Sequence, residues 1–129
     1  IPDSDSGIYL RRRDGKSQVN IWCWPVGSGE VYGYRMDKKM PPEVRAGVTP
    51  KKKADKPVGE WNTFEITLKG NVLKVVLNGE AVIDGAVLPD LPERGPIALQ
   101  HHGKKNADGR WTGPPSLVQF RNLRIKELP

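Results

Sequence analysis

The sequence predicts an all-β protein, and three observations carry that prediction. Apolar and polar residues alternate with a period of two in short runs, clearest over residues 7–12 and 71–77. Turn residues separate these runs: 14 glycines and 12 prolines make up a large share of the 129 residues, against a usual combined share of about 12%. No stretch long enough for a helix of about 11 residues keeps an apolar stripe without Gly or Pro interrupting it. Roughly seven or eight short strands with two long connections fit a β-sandwich in which one face of each sheet turns inward.

The first hairpin is expected over residues 7–12 and 17–24, turning at Asp14-Gly15. A two-residue loop sets Arg13 opposite Lys16, Leu10 opposite Val19 and Ile8 opposite Ile21. The other face then pairs Arg11 with Gln18 and Tyr9 with Asn20, followed by Trp22 and Trp24. One register thus yields an apolar face and a polar-aromatic face, and a one-residue slip would destroy both. The second hairpin spans 60–69 and 71–77 around Gly70-Asn71, pairing Leu68 with Leu73, Ile66 with Val75 and Phe64 with Leu77. Asn78-Gly79 turns the chain into a strand at 80–83. A further strand at 96–102 sets Ile97 and Leu99 on one side and Ala98, Gln100 and His102 on the other. The last strand is expected at 116–127, with a bulge near Asn122, where the alternation changes phase. The Pro-rich segment 36–59 and the Gly/Pro-rich segment 103–115 are expected as long loops, which in a compact domain are often functional. No internal repeat is visible, and residues 1–129 read as one domain.

Composition excludes several classes. The net charge is +6 and the pI about 9.6. The one sharp basic run, Lys51-Lys52-Lys53, sits in a Pro-flanked loop without interleaved stacking aromatics, which reads as a solvated loop and not a nucleic-acid site. No apolar run approaches the roughly 20 residues of a membrane span. A single cysteine, Cys23, excludes an intramolecular disulfide framework and a Cys-rich zinc site. The only histidines, His101 and His102, are adjacent, which excludes an HExxH motif. There is no phosphate loop, dinucleotide fingerprint or nucleophile elbow. No cofactor or metal site is implied; two adjacent histidines do not argue for a divalent cation. The chain opens on Ile1-Pro2-Asp3 with a strand soon after, which reads as a mature or trimmed fragment. Missing upstream strands would leave an open sheet edge for a second copy or a complementing chain.

Several strings, taken in order, resemble the 3-keto-disaccharide hydrolase domain family. Asp5-Ser6-Gly7-Ile8-Tyr9-Leu10-Arg11 is similar to its SGI strand, and Gln18-Val19-Asn20-Ile21-Trp22 to its EVQI strand. Gly59-Glu60-Trp61-Asn62-Thr63-Phe64-Glu65 resembles its GEWN strand and Leu77-Asn78-Gly79 its LNG hairpin. Gly95 to Gly103, GPIALQHHG, is similar to its GPIGLQ strand, and Phe120 to Leu128, FRNLRIKEL, to its closing strand. The resemblance implies a concanavalin A-like jelly-roll sandwich acting on 3-keto sugars, and a secreted or periplasmic location. Where the family commonly has an acidic residue opening the EVQI strand, this chain has Gln18 or Ser17; where it commonly has Asp before the matched His, this chain has His101.

A 3-keto group acidifies the proton on C2 of a sugar. Its removal expels the C1 substituent, and water then adds back. That chemistry needs a base near neutral pKa, a group polarising the ketone and hydroxyl-binding residues, but no glycosidase carboxylate pair. His102 is the candidate base, on the polar parity of its strand; His101 has core parity but sits at a strand end. Arg11 is the candidate for the ketone oxygen, with Gln18, Asn20 and Gln100 for hydroxyls. Trp22 is a candidate stacking residue, Tyr9 a binding candidate on the polar face, Tyr32 and Tyr34 flank Gly33 in an alternating stretch expected to line the cleft, and Trp111 lies in a Gly/Pro-rich loop suited to a lid. Glu30 and Glu43 are the loop carboxylates available as a general acid. The rival reading is a carbohydrate-binding sandwich without catalysis.

Overall fold

A computed structural model describes residues 5–12, 14–22, 25–101, 103, 105–112 and 117–129, with Trp22 described by its backbone alone. The chain runs β1 (Asp5–Leu10), β2 (Gln18–Trp22), α1 (Tyr32–Arg35), α2 (Pro42–Gly47), β3 (Phe64–Lys69), β4 (Val72–Leu77), β5 (Glu80–Val87) and β6 (Ile97–Leu99). Among the described residues six strands form two antiparallel three-stranded sheets, ordered β2-β1-β6 and β3-β4-β5. The fold is the expected all-β sandwich, and the inward faces share one core. Leu10 and Val19 of the first sheet belong to the same buried cluster as Leu73, Val75, Leu77, Val82 and Ile83 of the second.

The β3–β4 hairpin forms in the expected register, with Leu68 opposite Leu73, Ile66 opposite Val75 and Phe64 opposite Leu77. Gly70, at φ 60°, supplies the left-handed residue the turn requires. Glu80 onward pairs back on β4, and two register shifts, at Leu73/Lys74 and Val75/Val76, mark bulges that let Val82 and Ile83 both turn inward.

The β1–β2 hairpin differs from expectation by two residues: Tyr9 faces Gln18, Ile8 faces Val19 and Gly7 faces Asn20. The cause is a longer turn. Arg11 leaves β1 in a left-handed conformation at φ 59°, and Gly15 adopts φ 80°. The Asp14 carboxylate accepts from Lys16 N at 3.1 Å and from the Arg12 guanidinium, while Leu10 N donates to Ser17 O at 3.2 Å. An even shift preserves which residues share a face, so Tyr9, Gln18 and Asn20 stay together. Arg11 does not: it leaves the strand before the position at which it was to meet Gln18.

Asp14 makes this turn sensitive to acid. The hydrogen bond from Arg12, reinforced by that from Lys16 N, lowers its carboxyl from 3.8 to about 2. A depressed carboxyl contributes stability above its unfolded pKa and loses it as pH falls through the folded value. The pair is solvent-exposed, so screening leaves about 0.5 kcal/mol. Asp14→Asn is expected to remove that increment of stability loss between about pH 4 and pH 2, read by urea unfolding of both proteins across that range. Parallel pH profiles would refute the assignment.

Segment 36–59, expected as a loop, contains α2. Pro42 starts it where a missing N–H costs nothing, and Glu43 sits in its first turn. Tyr32-Gly33-Tyr34, expected as an alternating stretch, is instead the helix α1, with Tyr34 fully buried. The last expected strand, 116–127, is not a strand over its described residues 117–127. Asn122 takes φ 55° where the alternation changes phase, and Leu123 and Ile125 are exposed. Beside this segment an apolar cleft of about 2550 Å³ opens on the core side of the first sheet, lined by Ile8, Leu10, Phe64, Ile66, Leu68 and Leu99.

Candidate functional site

On the face of the first sheet opposite Ile8 and Leu10, alternation sets Gly7 and Tyr9 of β1 beside Gln18 and Asn20 of β2, with Gln100 just past β6 and Asp5 at the end of β1, where it also borders the cleft. The side chains of Asp5, Asn20, Gln18 and Gln100 form a continuous hydrogen-bonded row, with Tyr9 on the same face. Asn20 Nδ2 donates to Asp5 Oδ1 at 3.1 Å, to Ser6 O at 3.3 Å and to Gln18 Oε1 at 3.4 Å. Gln18 Nε2 donates to Gln100 Oε1. Gly7 makes this crossing feasible: a Cβ there would lie 2.5 Å from Gln18 Nε2 and 2.6 Å from its Cγ. The Gln18 side chain thus occupies the space a larger residue would fill, and reaches across β1 to β6. Gln100 is held by its backbone as well, since its N donates to Gly7 O at 2.9 Å and its O accepts from Ser6 Oγ at 2.8 Å.

The row is graded in burial. Asn20 and Gln18 are buried, whereas Tyr9, Asp5 and Gln100 are partly exposed. Gln18 and Asn20 therefore form a fixed underlayer, and Tyr9, Asp5 and Gln100 present the surface a ligand meets. Burial, with a smaller contribution from Asp5, raises the Tyr9 hydroxyl above its ordinary pKa. At neutral pH the phenol is a neutral hydrogen-bond donor.

Glu30 joins the row from a segment the sequence presented as a loop. Val31 bridges Val19, and Asn20 N donates to Glu30 O at 2.9 Å, so Glu30 is the cross-strand neighbour of Asn20. Its carboxylate is fully buried and accepts from Arg35 Nε. Asn20 Oδ1 and Glu30 Oε1 are buried acceptors without a donor among the described residues. Neither Asp5 nor Arg35 was singled out from the sequence. The signal for Asp5 was its even spacing from Gly7 and Tyr9, two and four residues on; that for Arg35 was its five-residue spacing from Glu30 across a short helix. Glu43 is exposed on α2.

Other expected site residues are placed elsewhere. The Arg11 guanidinium donates to Gly70 O at 2.6 Å and to Pro92 O at 3.4 Å, clipping the β1–β2 turn to the β3–β4 turn. Tyr34 is in the core, its hydroxyl donating to Pro89 O at 2.8 Å, with Lys16 Nζ 5.2 Å from its ring. The backbone of Trp22 pairs with Asp5 at the end of the hairpin. His101 follows Gln100 and is exposed. His102 and Trp24 lie outside the described residues.

Segment 103–115, expected as a loop, has a tight fold over its described residues 105–112. Lys105 bridges Trp111. Asn106 Oδ1 accepts from Asp108 N and from Arg110 N, each at 3.0 Å, and Asn106 N donates to Arg110 O at 2.8 Å. This brings Trp111 back to His101, with ring centroids 6.0 Å apart.

Among the described residues no group of three or more His, Cys, Asp or Glu is arranged to hold a metal ion, and no helix is long and apolar enough to cross a membrane. The arrangement offers amide, carboxylate and phenol groups on one sheet face, with His101 and an indole beyond Gln100. That combination suits a ligand with several hydroxyls and an apolar ring face. Neither the curated proteins nor the solved structures contain a match to this chain. The family model described as the 3-keto-alpha-glucoside-1,2-lyase-like domain matches residues 1–126. A match over nearly the full length shows that the chain belongs to the 3-keto-alpha-glucoside-1,2-lyase-like domain family.

Proposed function

We propose that this domain cleaves 3-keto-glycosides by elimination across C1 and C2, followed by addition of water. The supporting observation is the hydrogen-bonded row from Asp5 through Asn20 and Gln18 to Gln100, the residue that precedes His101 and His102 in sequence. In this reading His102 takes the proton from C2. The electron pair of the C–H bond moves into an enolate on the C3 oxygen, then returns to expel the C1 oxygen, which leaves with a proton. Water adds back across the resulting double bond. Tyr9 donates to the C3 oxygen, the role for which Arg11 was first considered, because Arg11 is held by backbone carbonyls. Gln100 and Asp5 bind hydroxyls, while Gln18 and Asn20 act as positioning residues beneath them. The substrate is a carbohydrate oxidised at C3, met outside the cytoplasm.

The base step has its own test. The parent protein, incubated with a 3-keto-glucoside in D2O, is expected to exchange the C2 proton, read by NMR. His102→Ala is expected to slow exchange and cleavage together by at least about 100-fold, and His101→Ala far less. Cleavage without exchange, or an unimpaired His102→Ala protein, would remove this mechanism. Reversible binding of an unoxidised glycan without turnover would establish the binding-module reading instead; full burial of Glu30, the cross-strand neighbour of Asn20, is the observation in its favour.

A further inference from the structure

An indole held at the surface by a rigid loop asks for an explanation. Trp111 is 43% exposed, yet its loop is closed by hydrogen bonds to both the backbone and the side chain of Asn106. Gly103 adds a second constraint. A Cβ there would lie 2.7 Å from the Trp111 Cζ3 atom and 3.4 Å from its Cε3 atom, so the indole lies directly against the backbone that leaves β6. Lys105 Nζ is 4.9 Å from the ring centroid, a cation–π contact that a bound ring displaces into water at small cost. A rigid, exposed aromatic surface beside a row of planar polar groups matches a pyranose ring, whose C–H face packs on an aromatic while its hydroxyls bond to amides.

We infer that Trp111 is the floor of a second sugar subsite, holding the ring attached at C1 of the oxidised sugar. The placement follows from the chain: Gln100 serves the reacting ring, His101 follows it, and Trp111 stacks beside His101 with ring centroids 6.0 Å apart, next to the end of the polar row. This inference rests on the 3-keto-glycoside reading. It makes the domain selective for disaccharides over simple alkyl glycosides, with the selectivity carried by loop 103–115 and not by the sheet.

The test compares a 3-keto disaccharide with methyl 3-keto-glucoside. Trp111→Ala is expected to raise KM for the disaccharide about tenfold while leaving kcat, and both constants for the methyl glycoside, near the parent values. Trp111→Phe is expected to recover most of the loss. Gly103→Ala, which displaces the indole without removing it, is expected to resemble Trp111→Ala. An unchanged disaccharide KM in Trp111→Ala, or an equal loss for both substrates, overturns the subsite and leaves the parent's activity standing. The paired readout is calorimetric binding of the unoxidised disaccharide. If the parent binds it and Trp111→Ala binds it tenfold more weakly, the subsite stands even where turnover is absent and the enzymatic reading fails. A parent that neither turns over nor binds either sugar overturns both.

Discussion

Leu73→Ala is expected to destabilise the domain by about 3–4 kcal/mol, the cost of removed apolar contacts plus the cavity left behind. Leu73 is fully buried on β4, the central strand of its sheet, and belongs to the cluster that includes Leu10 and Val19 of the other sheet. Its cross-strand partners, Leu68 and Ala86, are fixed by the ladders on either side, and Val75, Leu77 and Ile83 of the same cluster are themselves buried strand residues. Val72, adjacent on the same strand, is 43% exposed, and Val72→Ala is expected to cost about 0.5 kcal/mol. Urea unfolding of the two variants separates these cases. Equal losses would mean that the sheets do not share the core described above.

Gly95→Ala is expected to have the second-largest effect, and it reaches the site. A Cβ at Gly95 would meet the carbonyl oxygen of Arg11, and would lie 2.5 Å from its carbonyl carbon and 2.7 Å from its Cα. All three are backbone atoms, so no side chain can swing away. Arg11 N donates to Pro96 O at 2.8 Å, the contact that starts the pairing of β1 with β6. Forcing these segments apart is expected to cost about 2–3 kcal/mol and to shift Gln100 relative to Gln18. Turnover of a 3-keto-glucoside is therefore expected to fall more than stability alone explains, even at temperatures where the variant remains folded. A variant as stable and as active as the parent would contradict the close approach of Gly95 to Arg11.

The parts of the fold legible in the sequence were those in which local and long-range preferences agree. The β3–β4 pairing could be read residue by residue because Gly70-Asn71 fixes the turn and three consecutive inward pairs are apolar. The β1–β2 register was misread by two residues because Asp14 holds a longer turn with its own carboxylate, and alternation is blind to an even shift. That same blindness preserved the grouping of Tyr9, Gln18 and Asn20 while losing Arg11. The 117–127 segment has the alternation of a half-buried strand, but alternation does not supply a hydrogen-bonding partner. Around Tyr34, a three-residue alternation could not distinguish a strand from a single turn of helix. Glu30 and Asp5 were harder to place on the polar face because each side chain's position depends on pairing with a segment far from it in sequence, Glu30 beside Asn20 and Asp5 opposite Trp22.

The central claim is that this sandwich acts on glycosides oxidised at C3. The most direct measurement is release of a chromophore from a 3-keto-glucoside and from the matching unoxidised glucoside, with folding of each sample verified by near-UV circular dichroism of the tryptophans. The account predicts release from the 3-keto compound alone, lost in His102→Ala and retained in His101→Ala. Release from both compounds, or from neither by a well-folded protein, would contradict it.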